Sequence, residues 1–180
     1  MKNLKTGLGI WQILNSSLVT DIIAKSGFQI TILDLEHGLH DPKTVQDCVF
    51  TAKSNSLYSM ARLPCKNYQH IVQIIDTGVD AILFPHIEIS EQIHEIIGET
   101  CLSPKGNKSF SPFVPKYNYG YAEKNIQNNP SIGILIESIL GINNSEKLIS
   151  EPNIDFVYFG AYDLSVEIDM PGMIFDNEII

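Results

Sequence analysis

The sequence predicts an α/β fold built on a parallel sheet with crossover helices, and three observations predict it. Short apolar, β-branched runs alternate with segments whose apolar residues recur at helical spacing along most of the 180 residues. The strand runs read as covered on both faces, AILFP at 81–85 most clearly, as strands between helical layers must be. Several of these runs end in charged residues. The pattern leaves two architectures, an open doubly wound sheet and a (β/α) barrel. No Gly-x-Gly-x-x-Gly follows the first strand and no Gly-Lys-Ser/Thr phosphate loop occurs, so the nucleotide-binding forms of the open sheet lose support.

Taken in order, GLGIWQI at 7–13 is the first strand, and Ser16 or Ser17 caps a helix over 18–26 that Gly27 stops. ITILDLE at 30–36 is the second strand, expected to end near Asp34. Asp41-Pro42 starts a helix, with Asp accepting free amides and Pro supplying its fixed φ, and Val45, Cys48, Val49 and Ala52 form one apolar stripe. YSMARLP at 58–64 is a short strand carrying Arg62 near its end. A helix over 68–77 turns Ile71, Val72 and Ile75 inward and stops at Gly78. After AILFP, Ser90 caps a helix with Ile93, Ile96 and Ile97 inward. Residues 101–129 break the rhythm, with little periodicity beyond a helical turn near Ala122. A loop of that length in a compact fold is usually functional. SIGILIE at 131–137 is a strand ending in Glu137, Asn144 or Ser145 caps a short helix, and IDFVYFG at 154–160 is a strand that runs directly into Ala161–Ser165. The tail after Ser165 shows no clear element.

Hydrophobic residues make up 44% and charged residues 18%, a globular composition. The formal net charge is −9 with no Lys/Arg cluster, which argues against a nucleic-acid partner. No run approaches the ~20 apolar residues needed to cross a bilayer, and the N-terminus lacks the uninterrupted apolar core of a signal peptide. Cys48, Cys65 and Cys101 are widely spaced and follow no metal-site pattern, so free thiols in a reducing cytoplasm are the expectation.

Charged and polar groups collect at strand ends: Asp34, Glu36 and His37; Arg62; Glu137; Asp163. In a parallel barrel all strand C-termini open on one face, so these residues converge there, although any one of them alone reads as a solvated loop residue. Glu137 and Asp163 offer hard oxygen donors suited to Mg²⁺ or Mn²⁺ rather than zinc. Arg62 offers a permanently charged fork for a carboxylate or a developing oxyanion, or equally a partner for a structural carboxylate. His37 supplies an imidazole, the side chain suited to proton transfer at neutral pH, and Asp34 can orient it. His40, His70, His86 and His94 read as surface or rim residues, with His86 kept because it follows the AILFP strand, and Trp11 reads as a core residue that the end of strand one can also bring near the site floor.

The combination GIWQ, ITILDLEHG, ARLP, DTGVDAILFPHI, ILIES and FVYFGAYDLS resembles the HpcH/HpaI aldolase family over roughly residues 7–172, in the family's order and spacing. The resemblance implies a (β/α)8 TIM-barrel type, here incomplete: one domain over residues 1–180 with about six strand–helix units and a long loop insertion at 101–129. It implies a metal-dependent aldolase that cleaves a 4-hydroxy-2-oxo acid to pyruvate and an aldehyde. Glu137 and Asp163 match the metal carboxylates (for Mg²⁺ or Mn²⁺, with Co²⁺ a further candidate), His37 and Asp34 an acid–base pair, and Arg62 the arginine beside the 2-oxo group. The backbone around Gly160, Ala161 and Tyr162 would lie against substrate. Leu135 stands where the family commonly has Gln, Ala161-Tyr162 alters its Gly-Pro-x-Asp, and Lys108 replaces an Arg. A homo-oligomer is expected. The missing units suggest a fragment of a longer reading frame, or a gap covered by a second chain. Two other readings remain: a non-catalytic remnant, and a lyase acting on an acyl-coenzyme-A or dicarboxylic substrate on the same metal–enolate plan.

Overall fold

The computed structural model describes residues 4–64, 70–121 and 129–176. Six parallel strands run in sequence order, β1 (Gly9–Gln12), β2 (Ile30–Asp34), β3 (Tyr58–Arg62), β4 (Ala81–Phe84), β5 (Ser131–Ile136) and β6 (Phe156–Phe159). Each pairs with its sequence neighbour, which is the order of a barrel wall and not of a doubly wound sheet. The sheet curls into a half-barrel. Its two end strands approach across the lumen, where the Trp11 and Tyr158 rings meet edge to face at 5.6 Å.

Period-2 alternation divides the strand residues between two faces. The concave face carries Trp11, Ile30, Ile32, Tyr58, Met60, Ala81, Leu83, Leu135 and Phe156 as one apolar cluster. The convex face carries Leu33, Ala61, Ile82, Phe84, Ile132, Ile134 and Ile136, packed under the helices. Those helices are α1 (Ser17–Lys25), α2 (Pro42–Ser54), α3 (Ile71–Asp76) and α4 (Ser90–Thr100), followed by α5 (Ile139–Asn143), α6 (Ser145–Ile149) and α7 (Ala161–Glu167). The expected stripe of α2 is buried as Val45, Cys48, Val49 and Ala52, and Asp41 caps it by accepting from the Thr44 amide at 2.7 Å. Burial of each of the two valines contributes about 1.5–3 kcal/mol.

Strand β2 ends at Asp34, where the sequence analysis places its end. Two helices escaped the sequence reading. Helix α7 follows β6 where no helix was expected, because its one buried residue is polar: Ser165, whose hydroxyl donates to the Tyr162 carbonyl and accepts from the Gly172 amide. Helix α5 is a single capped turn whose one buried residue is Gly141, so no apolar stripe announces it. Ile89, not Ser90, occupies the N-cap of α4. The turn expected near Ala122 and the first residues of the helix expected over 68–77 lie outside the described residues, as does Cys65.

The long loop is anchored rather than free where it is described. Lys108, with its side chain fully buried, donates to Asp76 at the end of α3 at 2.7 Å and to the Ser109 carbonyl at 3.0 Å. The arginine-to-lysine exchange noted in the sequence therefore concerns a pin between loop and helix, placed away from the strand-end cluster.

Candidate active site

The C-terminal ends of β2–β5 and the start of α7 gather the polar residues above the apolar lumen. Asp34 and Arg62 are register partners across the β2–β3 ladder and both point to the concave face. Arg62 donates from Nε to Asp34 Oδ1 at 2.9 Å and from Nη2 to Oδ2 at 2.6 Å, while Nη1 lies 3.2 Å from Glu36 Oε2. Its guanidinium also stacks on Trp11, 4.5 Å from the ring centroid. Burial alone would raise the Asp34 carboxyl, but the hydrogen bonds and charge of Arg62 outweigh it and hold Asp34 below its ordinary value.

The chain turns sharply after Asp34, whose Oδ1 also accepts the Glu36 amide at 3.0 Å and the His37 amide at 3.3 Å. Gly38 closes this turn through close approach: a Cβ there would stand 2.2 Å from the Asp34 carbonyl oxygen. The expected pairing of the Asp34 carboxylate with the His37 ring is not what the turn builds. A bidentate guanidinium engages both carboxylate oxygens and outcompetes a single imidazole, and His37 stands exposed at the mouth. Glu36 takes the supporting role expected of it, against Arg62.

On the opposite wall Glu137 is buried just beyond β5, on the same face as Leu135. Its Oε1 accepts the His86 amide at 2.8 Å and lies 3.3 Å from His86 Nδ1, whereas His86 Nε2 lies 4.0 Å from Glu36 Oε1. Burial pushes Glu137 up, and the neighbouring Asp163 carboxyl adds to the push, to about 8. Asp163 reaches it from the first turn of α7. Gly160 makes this approach possible: a Cβ there would lie 2.6 Å from Glu137 Cβ and 2.8 Å from its Oε2. Ala161 and Tyr162 open α7, with the Tyr162 ring exposed at the rim, and Leu135 lies in the lumen cluster beneath Glu137.

A buried carboxyl whose proton affinity is raised beside a second carboxyl fits a hard cation, which would remove the repulsion that burial magnifies. Among the described residues no three His, Cys, Asp or Glu side chains converge on one ion position. An ion here would rest on Glu137 and Asp163 and draw its other ligands from water and substrate, as Mg²⁺ and Mn²⁺ do. The site thus assembles Asp34, Arg62, Glu137 and Asp163 from four separate segments, with His37 at its mouth. Sequence reasoning left His86 and Trp11 as secondary candidates. Their contacts with Glu137 and Arg62 were not legible, the only signal being their positions at the ends of strand runs.

A curled parallel sheet with paired carboxylates and a buried arginine at its strand C-termini has the arrangement on which barrel enzymes build their sites. Residues 7–178 match the HpcH/HpaI aldolase/citrate lyase family, and the chain belongs to that family of enzymes. It is 25% identical over 182 residues to a hydroxypyruvate/pyruvate aldolase of Roseobacter denitrificans, covering 97% of this chain and 70% of the relative. It is 28% identical over 166 residues to a 5-keto-4-deoxy-D-glucarate aldolase of Klebsiella pneumoniae subsp. pneumoniae, covering 88% of this chain and 63% of the relative. The chain thus spans about two thirds of the length of these relatives. Among solved structures, an HpcH/HpaI aldolase/citrate lyase family protein from Burkholderia cenocepacia shares the fold at a TM-score of 0.87 and 21% identity, over 95% of this chain and 70% of that one. No described helix is long and apolar enough to cross a membrane.

Proposed function

We propose that this site serves divalent-metal-dependent retro-aldol cleavage of a 4-hydroxy-2-oxo acid to pyruvate and an aldehyde. The observation that carries the reading is the facing of a buried, fixed guanidinium at Arg62 and the adjacent carboxyls of Glu137 and Asp163 across one strand-end mouth. Membership of an aldolase/citrate lyase family supports the reaction class. Both curated relatives are aldolases, one named for a hydroxylated 2-oxo acid and one for a keto-deoxy sugar acid, which supports a hydroxylated substrate.

Glu137 and Asp163 are the residues that would hold Mg²⁺ or Mn²⁺. A bound divalent ion supplies Lewis-acid stabilisation of the charge that develops on the 2-oxo group as the carbon–carbon bond breaks. Arg62, its orientation fixed by Asp34 and Glu36, adds a permanent positive charge on the same oxygen without having to reorganise. Leu135, Met60 and Leu83 close the floor below and exclude water from it. His37, whose backbone N–H donates to the Asp34 carboxylate, takes the proton of the 4-hydroxyl as the carbon–carbon bond breaks and the aldehyde carbonyl forms. The same proton is then delivered to C3, which becomes the methyl group of pyruvate. The backbone from Gly160 to Tyr162 borders the substrate, and the exposed Tyr162 ring faces the aldehyde portion. We place this chemistry in the cytosol and in a homo-oligomer.

The test is release of pyruvate from 4-hydroxy-2-oxo acids with Mg²⁺ or Mn²⁺ and with chelator, in the wild type and Glu137→Ala. Turnover is expected only in the metal-supplied wild type. Chelator-resistant turnover, or an unaffected variant, overturns the reading.

A further inference from the structure

We infer that His86 is a positioning residue that locks one oxygen of Glu137, so that the other is presented toward Asp163 and a divalent cation. The inference rests on the reading of Glu137 and Asp163 as the cation's carboxylates, and it assigns a new role to a residue outside that pair.

His86 contributes two groups to a single atom. Its amide lies 2.8 Å and its ring Nδ1 3.3 Å from Glu137 Oε1. Oε2 is then left on the side of Gly160, 2.8 Å from where a Cβ would stand, which is the side from which Asp163 enters. A carboxylate fastened at one oxygen loses the rotation that would otherwise exchange the two, and outer partners of metal-binding groups act in this way.

The backbone shows that this arrangement is imposed. His86 has φ +53°, a left-handed conformation that a residue with a Cβ adopts at a cost. It is held there from the outside. Gln92 on α4 donates to the His86 carbonyl at 3.1 Å while its Oε1 accepts the amides of Glu88 and Ile89, and the Ile87 amide donates to the Leu135 carbonyl. Strain sustained by so many surrounding bonds, at the mouth of a site, is the kind that serves a function. The far nitrogen of the ring lies 4.0 Å from Glu36, whose other oxygen is held by Arg62. His86 therefore spans the space between the Asp34–Arg62 pair and the Glu137–Asp163 pair.

The experiment is Mn²⁺ titration of the full chain by electron paramagnetic resonance, which reads free Mn²⁺ without any turnover, for wild type, Glu137→Gln, His86→Gly and His86→Asn. Glycine accepts the positive φ and keeps the amide, so it deletes the ring alone. Asparagine tolerates the same φ and restores an N–H donor close to the Nδ1 position. His86→Gly is expected to weaken Mn²⁺ binding by about tenfold to a hundredfold, and His86→Asn to bind close to wild type. The melting midpoint of His86→Gly in chelator is expected at or above wild type, which separates lost orientation from lost folding. Undiminished binding by His86→Gly, or a loss in His86→Asn as large as in His86→Gly, overturns the assignment. Binding that survives Glu137→Gln overturns the site reading itself and takes the His86 assignment with it.

Discussion

Asp34 and Arg62 lie opposite each other in the β2–β3 ladder and close a two-point ion pair, with Nε 2.9 Å from Oδ1 and Nη2 2.6 Å from Oδ2. Their side chains are 3% and 10% exposed, so neither charge has water as an alternative partner. Removing one member strands the other. Arg62→Ala is expected to cost about 3–5 kcal/mol of stability, read as a lower denaturation midpoint in urea. Arg62→Lys keeps the charge but loses the fork and the stacking on Trp11, and should recover only part of that loss. The pair also sets an acid limit. Because the folded state lowers the Asp34 carboxyl below its ordinary 3.8, its contribution is present above that pH and disappears as pH falls through the folded value. Asp34→Asn should flatten this part of the stability–pH curve below pH 4.

Glu137 predicts the opposite slope. Its folded carboxyl titrates near 8 against an ordinary 4.5, so the folded state holds its proton more tightly than the unfolded chain. In chelator, stability from this group is fully present below about 4.5 and is lost as pH rises through about 8. Chemical denaturation between pH 5 and 9 should show that decline in the wild type and a flatter curve in Glu137→Gln. Added Mn²⁺ should oppose the decline by binding the native state.

His37 tests the division between chemistry and folding. Its ring is exposed and only its amide is tied to Asp34. His37→Asn should lower kcat for pyruvate release by about 10²–10⁴-fold, the range for loss of a general base. The melting temperature should be unchanged. A parallel fall in both quantities would assign His37 to the fold instead.

Lys108 and Asp76 make the converse prediction. With side chains 0% and 15% exposed they hold the 101–121 loop to α3, away from the strand-end mouth. Lys108→Met should destabilise by about 3–5 kcal/mol because it leaves Asp76 unpaired, and Lys108→Met with Asp76→Leu should regain most of it. Urea melts of the single and double variants measure this directly.

Much of the architecture could be read from the chain because it depends on local pattern. Helical stripes such as Val45-Cys48-Val49-Ala52 and doubly covered strands such as AILF repeat with periods that a short window contains. The strand end at Asp34 was expected for a turn that pairs its carboxylate with the His37 ring; the end falls there, but the carboxylate takes Arg62 and the His37 amide instead. Helices α5 and α7 were hidden because Gly141 and Ser165, the residues they bury, are not apolar markers.

By itself, the sequence determined which residues would stand at the strand ends, since parallel strands in one sheet direct all their C-termini to one side. It did not determine which of them would touch. Asp34 meets Arg62, 28 positions away, because the β2–β3 register sets them opposite on the concave face, and that contact withdraws Asp34 from the nearby His37 ring. Glu137 meets His86 because the chain after β4 is bent into a left-handed turn and held there by Gln92. Such pairings depend on register, sheet curl and competition between partners in a space with little water, and these exist only once the strands are assembled.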